Sequence, residues 1–248
     1  MKQRLHLLFD LDDTLIHCNK YFDIVIDQFA DELEAWFAPY RLQKDEIKQK
    51  QQELDLAGID VNGFAAERFP DSFVETYEYF SALYGREDDP HELDRLLKIG
   101  YSVYNSQFEL YPDVVETLTG LERQGHKLSL YTGGDEKIQR TKVEKVNLSP
   151  FFGDRIFVAR HKNGEALKDV LEQHPHEPER TWMIGNSLRT DIVPALTNNI
   201  GAIYIPPLSN WAFDRIEIPV ESTERMLTVT ALPEIEQAIR QFYAKSGG

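Results

Sequence analysis

The chain has 248 residues, of which 42% are hydrophobic, 11% aromatic and 28% charged. This length predicts one large domain or a core that carries a smaller one, and this composition excludes collagen-like, disordered and membrane-spanning chains. The formal net charge of −15 repels nucleic-acid phosphates and anionic lipid surfaces, so we expect neither as a partner and favour a metal-using enzyme.

The cysteine content and the N-terminus bear on location. The single cysteine, Cys18, cannot form an intrachain disulfide, so nothing requires an oxidising compartment. The apolar stretch near the N-terminus is broken by Asp10, well short of a secretory core or a spanning helix. We therefore expect a cytoplasmic protein without a targeting segment.

Short apolar or β-branched runs that end in turn-forming or polar residues predict the strands of a buried sheet. In chain order these runs are 5–9, 127–131, 155–159, 181–184 and 202–205, of which 155–159 is the weakest. Helical patterns lie between them, notably over 114–124 and 164–173. Strands that alternate with helices predict an α/β fold with a doubly wound, Rossmann-like parallel sheet.

One segment, from about residue 17 to residue 111, has helical periodicity instead. Apolar side chains recur there at helical spacing, beginning with Val25, Phe29, Leu33, Trp36 and Phe37. The segment holds nine Lys or Arg against twenty Asp or Glu, a balance of −11, which is most of the excess charge. We expect a catalytic core of residues 1–16 and 112–248, and an inserted helical cap domain of residues 17–111 that closes over the carboxyl ends of the strands.

The most informative motif follows the first predicted strand and reads Phe9-Asp10-Leu11-Asp12-Asp13-Thr14-Leu15. Residues two apart on a strand share a side, so Asp10 and Asp12 lie together at the carboxyl end of the sheet. Two close carboxylates repel each other, and a bound Mg²⁺ ion would relieve that repulsion and keep a carboxylate ionised. An ionised aspartate beside a metal can attack phosphorus. The alternative is an acidic helix N-cap, for which one aspartate suffices and Asp13 is the strongest candidate.

This motif resembles the DxDxT string of the haloacid dehalogenase superfamily, in the phosphatase-like branch whose cap is inserted after the first motif. The resemblance implies that Asp10 is the nucleophile. It implies that Asp12 protonates the leaving oxygen and later activates water. It also implies that Mg²⁺ is bound by the carboxylate of Asp10 and the backbone carbonyl of Asp12.

The family's second motif is a strand that ends in Ser or Thr, and Thr132 in the string 128–135 fits it. The resemblance implies that Thr132 hydrogen-bonds the transferring phosphoryl group. Gly133 and Gly134 allow the backbone to approach an anion and point N–H groups at the phosphate. An ordinary turn is the alternative for the two glycines.

The third motif is a lysine that pairs with the nucleophile and with the phosphate, and Lys162 lies where related sequences carry it, just past strand 155–159. Its positive charge would offset the repulsion between the carboxylate of the nucleophile and the negatively charged phosphate. Arg160 is the alternative cation. Lys137 and Lys142 are set aside because both lie in a predicted helix. For any isolated lysine, Lys162 included, a solvated surface position is the alternative, so the choice of Lys162 rests on its position and on the resemblance.

The fourth motif usually reads Gly-Asp-Ser with a further Asp, and here it is Gly185-Asn186-Ser187-Leu188-Arg189-Thr190-Asp191. The resemblance implies that Asn186 and Asp191 complete the metal site. An amide oxygen can bind Mg²⁺ but brings no charge, so Asp191 is expected to coordinate directly or through water. The alternative is a turn in which Asn186 or Ser187 caps a helix, with Asp191 capping the helix 192–197.

These residues together predict Mg²⁺-dependent hydrolysis of a small phosphate monoester through an aspartyl-phosphate. Two alternatives stay open: a phosphomutase of the same superfamily, and a weakly catalytic protein that binds a metabolite or partner. Asn186 is the best support for the last. Dehalogenation is disfavoured because the dehalogenases that this sequence resembles lack the second aspartate, which is present here as Asp12.

Overall fold

The computed structural model describes residues 4–207, 211–214, 216 and 224–246. The chain divides into two compact units, which we call the core unit (Met1–His17 and Phe108–Gly248) and the helical unit (Cys18–Gln107). The sequence analysis expects the inserted segment to span residues 17–111. In the structure the segment begins one residue later, at Cys18, and ends four residues earlier, at Gln107. Each unit has its own hydrophobic core.

The core unit contains a six-stranded sheet in the order β3-β2-β1-β4-β5-β6, and every neighbouring pair is parallel. The strands are β1 (His6–Phe9), β2 (Lys127–Gly133), β3 (Ile156–Ala159), β4 (Thr181–Gly185), β5 (Gly201–Tyr204) and β6 (Met226–Thr228). The predicted α/β parallel sheet is confirmed. β6 was not predicted from the sequence.

Helices connect the strands and fill the inserted segment. They are α1 (Asn19–Trp36), α2 (Lys44–Asn62), α3 (Arg68–Tyr84), α4 (Pro90–Ser102), α5 (Val114–Arg123), α6 (Glu136–Lys145), α7 (Ser149–Phe152), α8 (Gly164–Gln173), α9 (Val193–Thr197) and α10 (Ile235–Ser246). No described helix is both long enough and apolar enough to cross a membrane.

The central strands are buried on both faces, which explains their continuous apolar sequence. Every residue of β1 and of β4 is buried, as a parallel sheet covered by helices requires. The carboxyl ends of these strands bring the motif residues to one edge of the sheet.

The two stretches that join the core unit to the inserted segment pair with each other. Ile16 and Leu110 form an antiparallel bridge. The His17 N–H donates to the Glu109 carbonyl at 2.8 Å, and the Tyr111 N–H donates to the Leu15 carbonyl at 2.9 Å. This pairing assigns residues 108–111 to the core unit.

The helical unit has an aromatic core. The Phe29 and Phe73 rings stack with centroids 4.1 Å apart, and Phe37 packs edge-on against Tyr77 at 5.9 Å. The apolar positions predicted from the spacing in α1 are buried, except Trp36, which is half-buried.

His6 in β1 is a buried histidine that stays neutral. It is 8% exposed; its Nε2 lies 2.8 Å from the Ser129 hydroxyl, and its Nδ1 has no hydrogen-bond partner among the described residues. Burial, assisted by the nearby Lys127 cation, lowers the pKa of His6 from 6.5 to about 3. The unfolded chain therefore takes up a proton at His6 at a pH where the folded chain does not.

We expect His6 to make the protein less stable as the pH falls from about 6.5 towards 3, because the unfolded state binds more protons there. From about pH 7.5 to about pH 5.5 this lowers the free energy of unfolding by about 1.4 kcal/mol. Urea unfolding of wild type and His6→Gln at both pH values measures the difference. His91→Gln, which removes an exposed imidazole, is the control and should keep the wild-type pH dependence. Equal pH dependence in His6→Gln and wild type contradicts the prediction.

Candidate active site

The carboxyl ends of three neighbouring strands and the loop after β3 bring the candidate residues together. Asp10 follows β1, Thr132 lies near the end of β2, and Asn186 follows β4. Lys162 comes from the loop between β3 and α8.

A buried lysine joins two of the predicted carboxylates. Lys162 Nζ lies 2.5 Å from Asp10 Oδ1 and also contacts Asp191 Oδ1. The side chains of Lys162, Asp10 and Asp191 are 2%, 7% and 0% exposed. Residues far apart in the chain thus form one charge cluster, and Arg160, the alternative cation, is exposed.

Burial and charge act in opposite directions within this cluster. Burial raises the pKa of Asp10 and of Asp191, and the Lys162 ammonium opposes both shifts. Burial alone would lower the pKa of Lys162, but the two carboxylates outweigh it and raise that pKa. Lys162 is therefore held charged, as a group that stabilises an incoming anion must be.

The loop after β4 shapes the site around Asp191. Asp191 Oδ2 accepts a hydrogen bond from the Ser187 backbone N–H at 2.9 Å. A Cβ atom at Gly185 would lie 2.2 Å from Asp191 Oδ2, so only glycine leaves room for this carboxylate. Asn186 Oδ1 accepts from the Thr14 hydroxyl at 3.1 Å, which links the first and fourth motifs.

The helix-cap alternatives for these motifs are resolved by the structure. Ser187 is the cap, because its Oγ accepts from the Thr190 N–H at 3.1 Å. Asp191 does not cap a helix: it lies inside a π-helical turn, Leu188–Ile192, that precedes α9. Asp13 does not cap one either, since it occupies a turn with φ of 59° and α1 begins only at Asn19.

The donor set fits a hard divalent cation. The candidate ligands offer only oxygen atoms, which Mg²⁺ prefers: two carboxylates, an amide and the Asp12 carbonyl. Two buried carboxylates share one ammonium, so negative charge remains, and Asp12 adds to it at Asp10. The described residues hold no group of three or more His, Cys, Asp or Glu side chains arranged for a metal. Such a group is not required, because two of the four expected ligands are an amide and a backbone carbonyl.

Two contacts of Asp12 and Thr132 were missed by the sequence analysis. Lys142 Nζ lies 2.8 Å from Asp12 Oδ2, and Gln139 Nε2 donates to Thr132 Oγ1 at 2.7 Å. Lys137 is exposed, but Lys142 and Lys162 are buried, so the alternative of a solvated surface lysine is wrong for these two. Gln139 and Lys142 are three apart in the helix that follows the second motif, a spacing that places them on one face but does not show that this face is buried.

Asp214 was also missed. The Ser187 hydroxyl donates to Asp214 Oδ1. Burial raises the pKa of Asp214, and the hydrogen bond from Ser187 opposes that shift. No pattern in the sequence marks this residue.

The expected role of one glycine N–H is wrong. Gly134 donates to the Ala159 carbonyl at 3.1 Å, so this N–H is engaged with the end of β3 and does not point at a phosphate. Gly133, the last residue of β2, remains a predicted phosphate contact.

The sequence model of the haloacid dehalogenase-like hydrolase family matches residues 6–196 of this chain, which include all four motifs. The chain belongs to this family. The resemblance inferred from the motifs is thereby confirmed, and the protein is an enzyme of the hydrolase class.

Curated relatives in this family have names that specify phosphatases. The ribulose-1,5-bisphosphate 5-phosphatase of Halopiger xanaduensis is 26% identical over 219 residues, which cover 81% of this chain and 84% of that protein. The glyceraldehyde 3-phosphate phosphatase of Methanothermobacter thermautotrophicus is 26% identical over 151 residues, which cover 57% of this chain and 64% of that protein.

Solved structures share the fold. A haloacid dehalogenase-like hydrolase from Xanthomonas campestris has a TM-score of 0.78 at 27% identity, covering 99% of this chain and 95% of that chain. A family member from Bacillus subtilis, bound to magnesium, has a TM-score of 0.66 at 21% identity, covering 96% of this chain and 100% of that chain. At that identity the second likeness shows the fold alone.

Proposed function

We propose that this protein is a Mg²⁺-dependent phosphatase that hydrolyses a small phosphate monoester through an aspartyl-phosphate at Asp10. The observation that carries the proposal is the buried Lys162 ammonium between the Asp10 and Asp191 carboxylates. The charge of Asp12 acts on Asp10, and Gln139 Nε2 donates to both Asp12 and Thr132. The phosphatase names of the relatives support the same reaction class.

The proposed reaction has two steps. An Asp10 oxygen attacks phosphorus and the bond to the ester oxygen breaks, while Asp12 gives that oxygen a proton. Water then attacks the phosphorus of the aspartyl-phosphate and gives a proton to Asp12, and the bond from phosphorus to Asp10 breaks. Inorganic phosphate leaves, and both aspartates regain their starting states.

Lys162 and Thr132 have electrostatic roles in this proposal. The Lys162 ammonium and the Thr132 hydroxyl donate to phosphoryl oxygens, which offsets the repulsion between the phosphate and Asp10. The carboxylates of Asp10 and Asp191, the Asn186 amide oxygen and the Asp12 carbonyl would hold Mg²⁺, with Asp191 binding directly or through water. When bound, this ion supplies positive charge that neutralises the phosphoryl group.

We further propose that the helical unit is the cap domain and selects among small phosphorylated metabolites. Its strongly acidic composition disfavours polyanionic partners such as nucleic acids. We also propose a cytoplasmic location, which agrees with a single cysteine that cannot form an intrachain disulfide.

A phosphate-release screen tests the function. The panel contains ribulose 1,5-bisphosphate, glyceraldehyde 3-phosphate, phosphoglycolate, pyridoxal phosphate, a nucleoside monophosphate and p-nitrophenyl phosphate, each with Mg²⁺. We expect at least one ester to be hydrolysed, with activity lost in EDTA and restored by excess Mg²⁺ because the carboxylate site then regains its cation. The Asp10→Asn protein, purified in parallel, measures contaminating phosphatase.

The remaining outcomes separate the alternatives. An isomeric sugar phosphate in place of free phosphate identifies a phosphomutase. No turnover on any ester, together with tight binding of one of them, identifies a metabolite-binding protein. Full activity in EDTA contradicts the metal dependence.

A further inference from the structure

Helix α6 carries two buried polar side chains on one face. Gln139 and Lys142 are three positions apart, which places them side by side on a helix. They are 2% and 4% exposed. A lysine is seldom buried this far unless its charge is paired, and here its partner is Asp12.

Gln139 and Lys142 contact both oxygens of the Asp12 carboxylate. Lys142 Nζ lies 2.9 Å from Oδ1 and 2.8 Å from Oδ2, while Gln139 Nε2 donates to Oδ2 at 2.9 Å. Asp12 follows the strand end and is only half-buried. Two donors from one helix therefore define the direction in which this carboxylate points.

Gln139 also acts on Thr132. Its Nε2 donates to Thr132 Oγ1 as well as to Asp12, and a side-chain amide has two hydrogens for these two bonds. The Thr132 hydroxyl accepts from Gln139, so its own hydrogen is directed away from Gln139. This leaves the Thr132 hydrogen available for donation to a phosphoryl oxygen.

Neighbouring residues accommodate these two side chains. Gly134 has a φ of +146°, and a Cβ atom there would lie 2.8 Å from Gln139 Cγ, so a larger residue would displace Gln139. Lys142 Nζ lies 4.8 Å from the centroid of the Phe108 ring, a cation–π contact.

We propose that Gln139 and Lys142 are positioning residues for the two proton transfers at Asp12, and that Gln139 also orients the Thr132 hydroxyl. The proposal rests on the proposed function. In the first step Asp12 loses its proton to the ester oxygen as the phosphorus–oxygen bond breaks. In the second it regains a proton from water as the new phosphorus–oxygen bond forms. Both transfers need the carboxylate at hydrogen-bond distance from the reacting oxygen.

Lys142→Met tests the proposal through its dependence on the leaving group. Methionine keeps the length and apolar stem but cannot hold Asp12. For the alkyl ester of the panel that wild type hydrolyses fastest, we expect kcat/KM to fall about 10²-fold, since the alkoxide must be protonated as it leaves. For p-nitrophenyl phosphate we expect a fall of less than about 5-fold, because nitrophenolate leaves without a proton and general acid catalysis contributes little.

Three further variants complete the design. Lys145→Met changes an exposed lysine one turn along the same helix and should keep both wild-type kcat/KM values. Lys142→Arg restores a cation and should recover part of the activity on the alkyl ester. Gln139→Leu should lower kcat/KM for both esters, because Thr132 is expected to contact the phosphoryl group of either one. The fall should be larger for the alkyl ester, because Gln139 also contacts Asp12.

The outcomes separate this proposal from the proposed function. No hydrolysis of any ester by wild type rejects the function itself. An active wild type with equal losses on both esters in Lys142→Met, and no rescue by Lys142→Arg, assigns Lys142 a structural role and overturns the proposal. If Lys142→Met fails to fold by circular dichroism, Gln139→Leu and Lys142→Arg decide: equal losses on both esters in Gln139→Leu overturn the proposal.

Discussion

We expect Asp10→Asn to lower kcat for phosphate release by about 10⁴-fold or more, because the substitution removes the group that forms the bond to phosphorus. This loss corresponds to a barrier higher by about 5 kcal/mol or more. An amide is nearly the same size as a carboxylate and leaves Lys162 paired with Asp191. The fold should therefore persist, and the loss should appear in kcat more than in KM.

Asp13→Asn is the matched control for Asp10→Asn. It makes the same chemical change three positions along, at a half-buried residue whose φ of 59° asparagine also tolerates. We expect this variant to keep kcat within a few-fold of wild type. Phosphate release and circular dichroism on both variants make the comparison. Wild-type kcat in folded Asp10→Asn, free of contaminating phosphatase, would rule out Asp10 as the nucleophile.

Lys162→Met is expected to reduce both activity and stability. The activity falls because a cation next to the nucleophile and the phosphate is lost, and we expect kcat/KM to decrease by about 10³-fold. The stability falls because Asp10 and Asp191 remain buried without their partner. Removing one member of a buried ion pair typically costs about 3–5 kcal/mol.

The loss of stability in Lys162→Met should depend on pH with a defined sign. Burial raises the pKa of Asp10 and Asp191, and Lys162 opposes that shift, so its removal raises both values further. A carboxyl whose pKa is higher in the folded state binds its proton more tightly there, so stability is regained as the pH falls. Urea unfolding measures this: the difference in free energy of unfolding between wild type and Lys162→Met should become smaller as the pH falls from about 8 to about 5.

Lys168→Met is the control for this experiment, because Lys168 is exposed on α8. It should match wild type in kcat/KM and in the pH dependence of unfolding. If Lys162→Met is as stable as wild type at pH 8, Lys162 does not stabilise the two buried carboxylates, and the prediction is wrong.

The strands and the charged motif residues could be predicted because they leave local signals. Apolar runs that end in polar residues mark buried strands, and parallel strands place those ends at one edge. Asp10, Lys162 and Asp191 were identified in this way together with the family resemblance, and the structure brings them into contact. The strand β6 has three residues and no such run, so its pairing with β5 depends on tertiary structure.

Buried polar contacts could not be predicted in the same way. Lys142 lies on a helix whose sequence is mostly polar, and periodicity does not tell a lysine that meets water from one that meets Asp12. Asp214 reaches Ser187 from a short 3₁₀ helix, Ala212–Asp214, 27 positions along the chain, and no local pattern specifies such a contact. Which polar side chains meet is decided by the packing of elements, not by their spacing in sequence.

The pairing of Ile16 with Leu110 has an evolutionary consequence. The chain leaves the core unit after Ile16 and returns to it before Leu110, and these two residues are paired. The segment between them therefore closes a loop, and the entropic cost of closing a loop grows only slowly with its length. Segments of very different size can therefore be exchanged at this place while the first aspartate motif stays in register. Descendants of one ancestral hydrolase could thus diversify by replacing a whole module, without re-evolving the reaction centre.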